Sequence, residues 1–319
     1  MNVTYGDGVR IDLATGETVV ADAGDPDGDV ALLSHAHGDH LYHEPPAEVV
    51  CSETTAALAR VRRDGPHPEV VEHPRIDLLD AGHVAGSRAA LIDDGETRLL
   101  YTGDISTRDR FFLSGLSVPD VDVLVTEATY GRPGYVFDPQ EELEAAIVDW
   151  LRTTDAPVLL MGYALGRAQE LHLLADRAGR TVHVTDAIRR LDETISDREG
   201  VGLDARSFDA DRELTDDDAV VLPAQTGGLS FVDRLREAGA IKAGFSGWAV
   251  DEGFRFRGDH DETFVLSDHC DFSELIGLVE RADPEQVYTV HGFTDDLARE
   301  LTGRGFEARS LKWTRESMD

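Results

Sequence analysis

Cysteine is almost missing from this 319-residue chain. Cys51 and Cys270 stand too far apart in sequence to read as a disulfide framework or a thiolate metal site, so a bound metal would have to rely on histidine and carboxylate donors. Lysine is equally scarce, with Lys242 and Lys312 the only two among 30 basic residues. No run approaches the roughly 18 uninterrupted apolar residues that a membrane span needs. The opening MNVTYGDGVRIDLATG carries neither a basic leader nor an apolar stretch, which predicts a soluble, cytoplasmic protein with no membrane partner.

What the chain has in excess is acid. Its 63 aspartates and glutamates give a formal net charge of −33, spread over the whole length instead of gathered in a tail. Such a charge destabilises the compact state by self-repulsion, but at around 1 M salt the screening length falls to roughly 3 Å and the penalty shrinks. A halophile's cytosolic protein is the simplest reading. An acidic face built for a basic partner would instead segregate its acids, and no such segregation is visible. With 41% hydrophobic residues the chain can bury one large core or two modest ones.

Short β-rich runs separated by turns occupy the first 130 residues, several of them apolar on both faces, as expected of strands inside a layered α/β fold. From Asp138-Pro139 the style changes. QEELEAAIVDWLRTT reads as an amphipathic helix with Asp138 as N-cap and Pro139 at its first position. The strand APVLLMG, the helix RAQELHLLADRAG and the strands TVHVTD and DDDAVVLPA follow, a βαβ-type layer of its own. The last 70 residues return to the first style.

The strongest local signal is Ser34-His35-Ala36-His37-Gly38-Asp39-His40, directly after the apolar run VALL. Four imidazole and carboxylate donors in six residues cannot share one face of a helix or strand. On a tight loop relaxed by Gly38 they can converge on two sites, His35 and His37 at one metal, Asp39 and His40 at another. His83, in AGHVAGS, and Asp104, closing LLYTGD, supply further donors just after strands, and Asp104 has two oxygens with which to bridge.

The segments VADAG, SHAHGDH, AGHVAGS and YTGD, in this order, resemble the successive metal-binding motifs of the metallo-β-lactamase fold. That resemblance makes Asp22 an early structural aspartate behind the histidine loop. Later segments are similar to the β-CASP branch, whose members cut RNA or DNA: Glu127 in VTEATYG, His269 in LSDHCDF and His291 in YTVHG match its three added motifs. GYALGRAQE resembles the start of its inserted domain and FSGWAV the exit. The implied fold is a four-layer αββα metallo-β-lactamase sandwich, residues 1–134 and 246–319, with an inserted α/β β-CASP domain at 135–245. The compact layout is similar to archaeal mRNA 3′-end processing factor-like and DNA-ligase-associated exonuclease-like proteins, and LPAQTGG departs from the Ser-Ser-Gly-Met-type turn of many relatives.

The resemblance implies two zinc ions per chain, one held by His35, His37, His83 and Asp104, the other by Asp39, His40, Asp104 and His291. Their shared hydroxide would attack the phosphorus of RNA or single-stranded DNA. Asp39 counts among the catalytic residues as well as the ligands. His269 is the expected general acid, with Glu127 orienting its ring and the flanking Asp268 and Asp271 as competing partners. Arg167, at a helix start, is the expected phosphate clamp for the substrate, and Arg108, Arg110 and Arg132 are expected along the same cleft. Trp248 reads as a core residue, with base stacking as the alternative. The sequence leaves open RNA versus DNA, endo- versus exonuclease mode, and whether the chain forms a homodimer. A second reading is a hydrolase of a small-molecule thioester or phosphodiester on the same scaffold.

Overall fold

The computed structural model describes residues 1–312. It divides into two compact units, Met1–Val136 with the chain from His269 onward, and Phe137–Asp268.

The first unit is built around two large sheets, with a two-stranded parallel pair, Glu48–Val49 and Glu69–Val70, beside them. Strands Asn2–Gly6, Gly8–Asp12, Thr18–Ala21 and Val30–Leu32 form one, antiparallel except for its last pair. The other, six strands wide, runs in the order Ala308–Ser310, Gln286–Gly292, Val123–Ala128, Arg98–Tyr101, Arg88–Asp93 and Ile76–Asp80. Alternation along its strands decides what packs where. Leu99 and Val125 join Ile11, Val19 and Leu32 in the core shared by the two sheets, while their neighbours Leu100 and Leu124 join Leu275, Val279, Leu297 and Leu301 from the helices Phe272–Ala282 and Thr294–Gly303. A helix Glu53–Arg62 is tied to the Gly86 carbonyl by the hydroxyls of Ser52 and Thr55. This is the layered α/β sandwich that the sequence predicts.

The second unit holds one six-stranded sheet, parallel throughout, in the order Arg206–Ser207, Thr181–Val184, Asp218–Pro223, Val158–Gly162, Ile241–Phe245 and Glu262–Phe264. Its central strands Val158–Gly162 and Asp218–Pro223 are buried along their whole length, as a strand covered on both faces must be. The unit therefore ends at Asp268, 23 residues beyond the predicted boundary at 245. The physical reason is the ladder of Ala243–Phe245 with Glu262–Phe264, which makes FSGWAV a connection inside one sheet and not an exit from it.

Two local expectations also shift. Helix Gln140–Thr153 has Pro139 at its cap position and no side-chain cap bond, so Asp138 does not cap it. A helix Asp186–Glu199, absent from the sequence reading, starts on the Thr185 hydroxyl and stops at Gly200 in left-handed conformation, φ 69°. Among the described residues no helix is long and apolar enough to cross a membrane.

Candidate metal centre

The donors of the first unit sit where strands give way to loops. The histidine loop follows Val30–Leu32, His83 follows Ile76–Asp80, Asp104 follows Arg98–Tyr101, and Glu127 and His291 lie near the ends of the paired strands Val123–Ala128 and Gln286–Gly292. Gly103 makes the YTGD turn feasible. It adopts φ 54°, and a Cβ there would lie 2.6 Å from the Ser34 side chain.

His35, His37, His83 and Asp104 come together in a tight cage. His37 Nδ1 lies 3.1 Å from His35 Nε2 and 3.2 Å from His83 Nε2, while Asp104 Oδ2 lies 3.5 Å from both His35 Nε2 and His83 Nε2. Zinc bound tetrahedrally at about 2.0–2.1 Å separates its ligand atoms by roughly 3.3 Å. The donor chemistry and these spacings fit zinc. His40 Nε2 stands 3.7 Å from the same Asp104 oxygen and 4.0 Å from Asp39 Oδ2, whose side chain is 84% exposed. The His291 ring lies on this side, 5.4 Å centroid to centroid from that of His40, but neither it nor Asp39 joins the close-set donor groups found among the described residues.

Buried groups behind the cage fix which ring nitrogens face it. Asp22, at φ 51°, accepts hydrogen bonds from Ser34 N (2.7 Å), Ser34 Oγ (2.5 Å), Tyr101 Oη (2.8 Å) and His40 Nδ1 (2.9 Å). With Nδ1 engaged by Asp22, it is Nε2 of His40 that faces the cage. His35 Nδ1 is likewise 2.9 Å from Ser34 Oγ, which turns its Nε2 inward. Burial opposes charge on His40, yet the carboxylates of Asp104 and Asp22 raise its pKa to about 9. Burial likewise opposes charge on Asp22, and the charge and hydrogen bonds of His40 still hold it below the usual aspartate value. His35, buried and surrounded by other imidazoles, is held well below the usual histidine value.

Beside the cage stands an acid pair. His269 Nδ1 lies 2.7 Å from Glu127 Oε1, and the His269 ring centroid is 4.5 Å from that of His83. Glu127 is fully buried and takes further bonds from the backbone N–H groups of Ile105 and Thr129. Burial would raise its carboxyl, but His269 holds it below the ordinary glutamate value.

Residues 261–310, which include His269 and His291, match the Zn-dependent metallo-hydrolase RNA specificity domain. The chain is 33% identical over 296 residues to a probable DNA ligase of Opitutus terrae, an alignment covering 88% of this chain and 28% of that one. It is 33% identical over 150 residues to the endoribonuclease ysh-1 of Neurospora crassa, covering 45% of this chain and 16% of the relative. With the RNase J-like protein of Methanocaldococcus jannaschii the identity is 27% over 192 residues, covering 50% and 46%. The chain belongs to the β-CASP branch of the metallo-β-lactamase fold. It spans less than half the length of each of these relatives. Among solved structures, a protein of unknown function from Enterococcus faecalis shares the fold at a TM-score of 0.61, with 14% identity over 92% of this chain and 82% of that one.

In this β-CASP protein the arginines are engaged by carboxylates and carbonyls of the fold. Arg167 is 3% exposed, its guanidinium bound by Glu170 Oε2 at 2.5 Å and Asp268 Oδ1 at 2.9 Å, so it is an internal ion pair of the second unit and not a free phosphate clamp. Arg110 is buried and donates to the carbonyls of Gly82 and His83, bracing the loop that carries a cage histidine. Arg108 donates to the His269 carbonyl at 2.7 Å and meets Glu274 at 3.0 Å. Arg132 pairs with Asp296 over the ring of Phe293. The bracing roles of Arg108 and Arg110 left one signal in the sequence: both follow Asp104 within six residues, too close to the centre to be idle.

Proposed function

We propose that this protein is a zinc-dependent nuclease that hydrolyses phosphodiester bonds of RNA or single-stranded DNA. The observation that carries the proposal is the His269–Glu127 pair standing against the His83 wall of a cage whose donors fit zinc. In this reading His35, His37, His83 and Asp104 hold one zinc, and Asp39, His40, Asp104 and His291 hold a second. Bound zinc supplies Lewis acidity and lowers the pKa of water toward about 7.

The chain's own residues do the rest. Asp22 keeps His40 and, through Ser34, His35 in the tautomers that face the site. His269 donates a proton from Nε2 to the leaving oxygen, because its Nδ1 is engaged by Glu127. The Glu127 carboxylate favours the imidazolium and turns the ring. Relatives named as an endoribonuclease and as a probable DNA ligase support a nucleic-acid substrate; RNA 3′-end processing and a DNA-repair exonuclease reaction are the two settings this reading admits. A halophilic cytoplasm accounts for the charge of −33.

End-labelled RNA and single-stranded DNA of one sequence, incubated with the zinc-loaded protein in high KCl, test the reading. A product ladder on one or both, abolished by chelator and restored by zinc, is expected. No cleavage of either, together with turnover of a small thioester or phosphodiester, would transfer the assignment to a small-molecule hydrolase.

A further inference from the structure

The second unit contains a pocket of about 500 Å³ that the proposed chemistry does not use. Its position follows from topology. From the central strand Val158–Gly162 the chain moves outward through Thr181–Val184 to Arg206–Ser207, returns to Asp218–Pro223, and then crosses to Ile241–Phe245 on the other side. In open parallel sheets ligands bind beyond the carboxyl ends of the strands where the order reverses in this way. Gly162 and Tyr163, Ala224 and Gly227, and Phe245, Ser246 and Trp248 lie at those ends, and all of them line the pocket.

Its lining has a particular chemistry. Tyr163 is 66% exposed, an unusual setting for a large aromatic, and Trp248 is half-buried. Phe254 and His260 add a second aromatic wall, with ring centroids 5.3 Å apart. Lys242, one of the chain's two lysines, is buried beneath, its Nζ donating to the carbonyls of Gly227 at 2.9 Å and Gly258 at 2.8 Å. An ammonium has three N–H groups, so one donor remains. Asp233, Asp259 and Arg257 line the same pocket, Asp259 already paired with Arg236 at 2.6 Å. That mixture of signs is wrong for a phosphate. It suits a flat neutral heterocycle that has both acceptor and amino edges.

We propose that this pocket is a nucleobase subsite, taking one unstacked base of the single-stranded substrate between the aromatic faces of Trp248 and Tyr163. The proposal rests on the nuclease reading and adds to it a position at which the substrate's base matters. Stacking of one base on an aromatic side chain corresponds to roughly a 5- to 150-fold effect on affinity.

The experiment is an abasic scan on zinc-loaded protein in the His269→Ala background, which spares the substrate while affinity is measured. Oligonucleotides with a single abasic residue at successive positions should show one position where binding weakens by that factor. The same position should become insensitive in Trp248→Ala, and Trp248→Phe, which keeps a ring and guards against misfolding, should restore the sensitivity. No sensitive position, or sensitivity that persists in both Trp248→Ala and Tyr163→Ala, overturns the subsite. If the wild type cuts neither RNA nor DNA, the nuclease reading fails separately. Equilibrium dialysis with adenosine and uridine then decides the pocket: saturable binding lost in Trp248→Ala keeps it, and no binding overturns it.

Discussion

In the proposed reaction single residues divide the chemistry between holding metal and moving a proton. His269 reaches Glu127 through Nδ1, and the proposed reaction uses its other ring nitrogen, Nε2, as the proton donor. Substituting His269→Ala should retain zinc and lower the rate on nucleic acid by roughly 10²–10⁴-fold, the range of a positioned acid. The loss on a nitrophenyl phosphodiester, whose leaving group needs no proton, should be much smaller. His291→Ala should reduce zinc content and impair both substrates alike. Equal losses for His269→Ala on both substrates, or loss of its zinc, would return that residue to the ligands or the scaffold. Asp22 tests the support behind the cage. It accepts four hydrogen bonds, including the one that fixes His40, so Asp22→Asn should weaken zinc binding by about 10–100-fold in a chelator competition, the usual effect of removing such a partner. Unchanged affinity would show that the loop holds its histidines without Asp22.

Secondary elements determine how these side chains are aimed. His291 belongs to a parallel pair whose register runs evenly from Val123–Gln286 to Glu127–Val290 and then skips, so that Ala128 faces Gly292. The skipped residue is His291, at φ 54°, and the bulge brings its ring beside that of His40. Period-2 reasoning on YTVHG places a histidine at the end of a strand but cannot show which way a bulge turns it. The helix after His269 is anchored comparably. Asp271 accepts from Glu274 N and Glu274 from Asp271 N, both at 2.8 Å, while Glu274 also meets Arg108, which holds the His269 carbonyl. Asp271→Ala should therefore lower stability by about 1 kcal/mol in a denaturant titration. It should also reduce the rate on nucleic acid more than on the nitrophenyl substrate, since the acid is the group disturbed. A stability change with equal effects on both substrates would confine Asp271 to the helix.

At the scale of the whole molecule, charge is the dominant property. Most arginines that the structure pairs with acids do so at the surface, where single pairs contribute little, so −33 is balanced by solvent ions more than by the protein. Thermal melts should move upward as KCl rises from 0.1 to 3 M, because the screening length falls from about 10 Å toward 3 Å or less over that range. A flat melting temperature would remove the halophilic reading. This expectation needs only composition, and so does the exclusion of thiolate metal binding. The donors were legible too, because metal chemistry restricts them to a few residue types and tight loops give them a short spacing in sequence, as in His35 to His40. What depended on tertiary structure is everything set by partners remote in sequence. Arg167 looked available at a helix start until Asp268, 101 residues away, was found against it. FSGWAV looked like an exit until Phe245 was found paired with Phe264. Trp248 became a pocket wall only because three parallel strands end together around it. Local rules fix which groups a segment can offer. Which of them are left for a ligand is decided when the rest of the chain takes up the others.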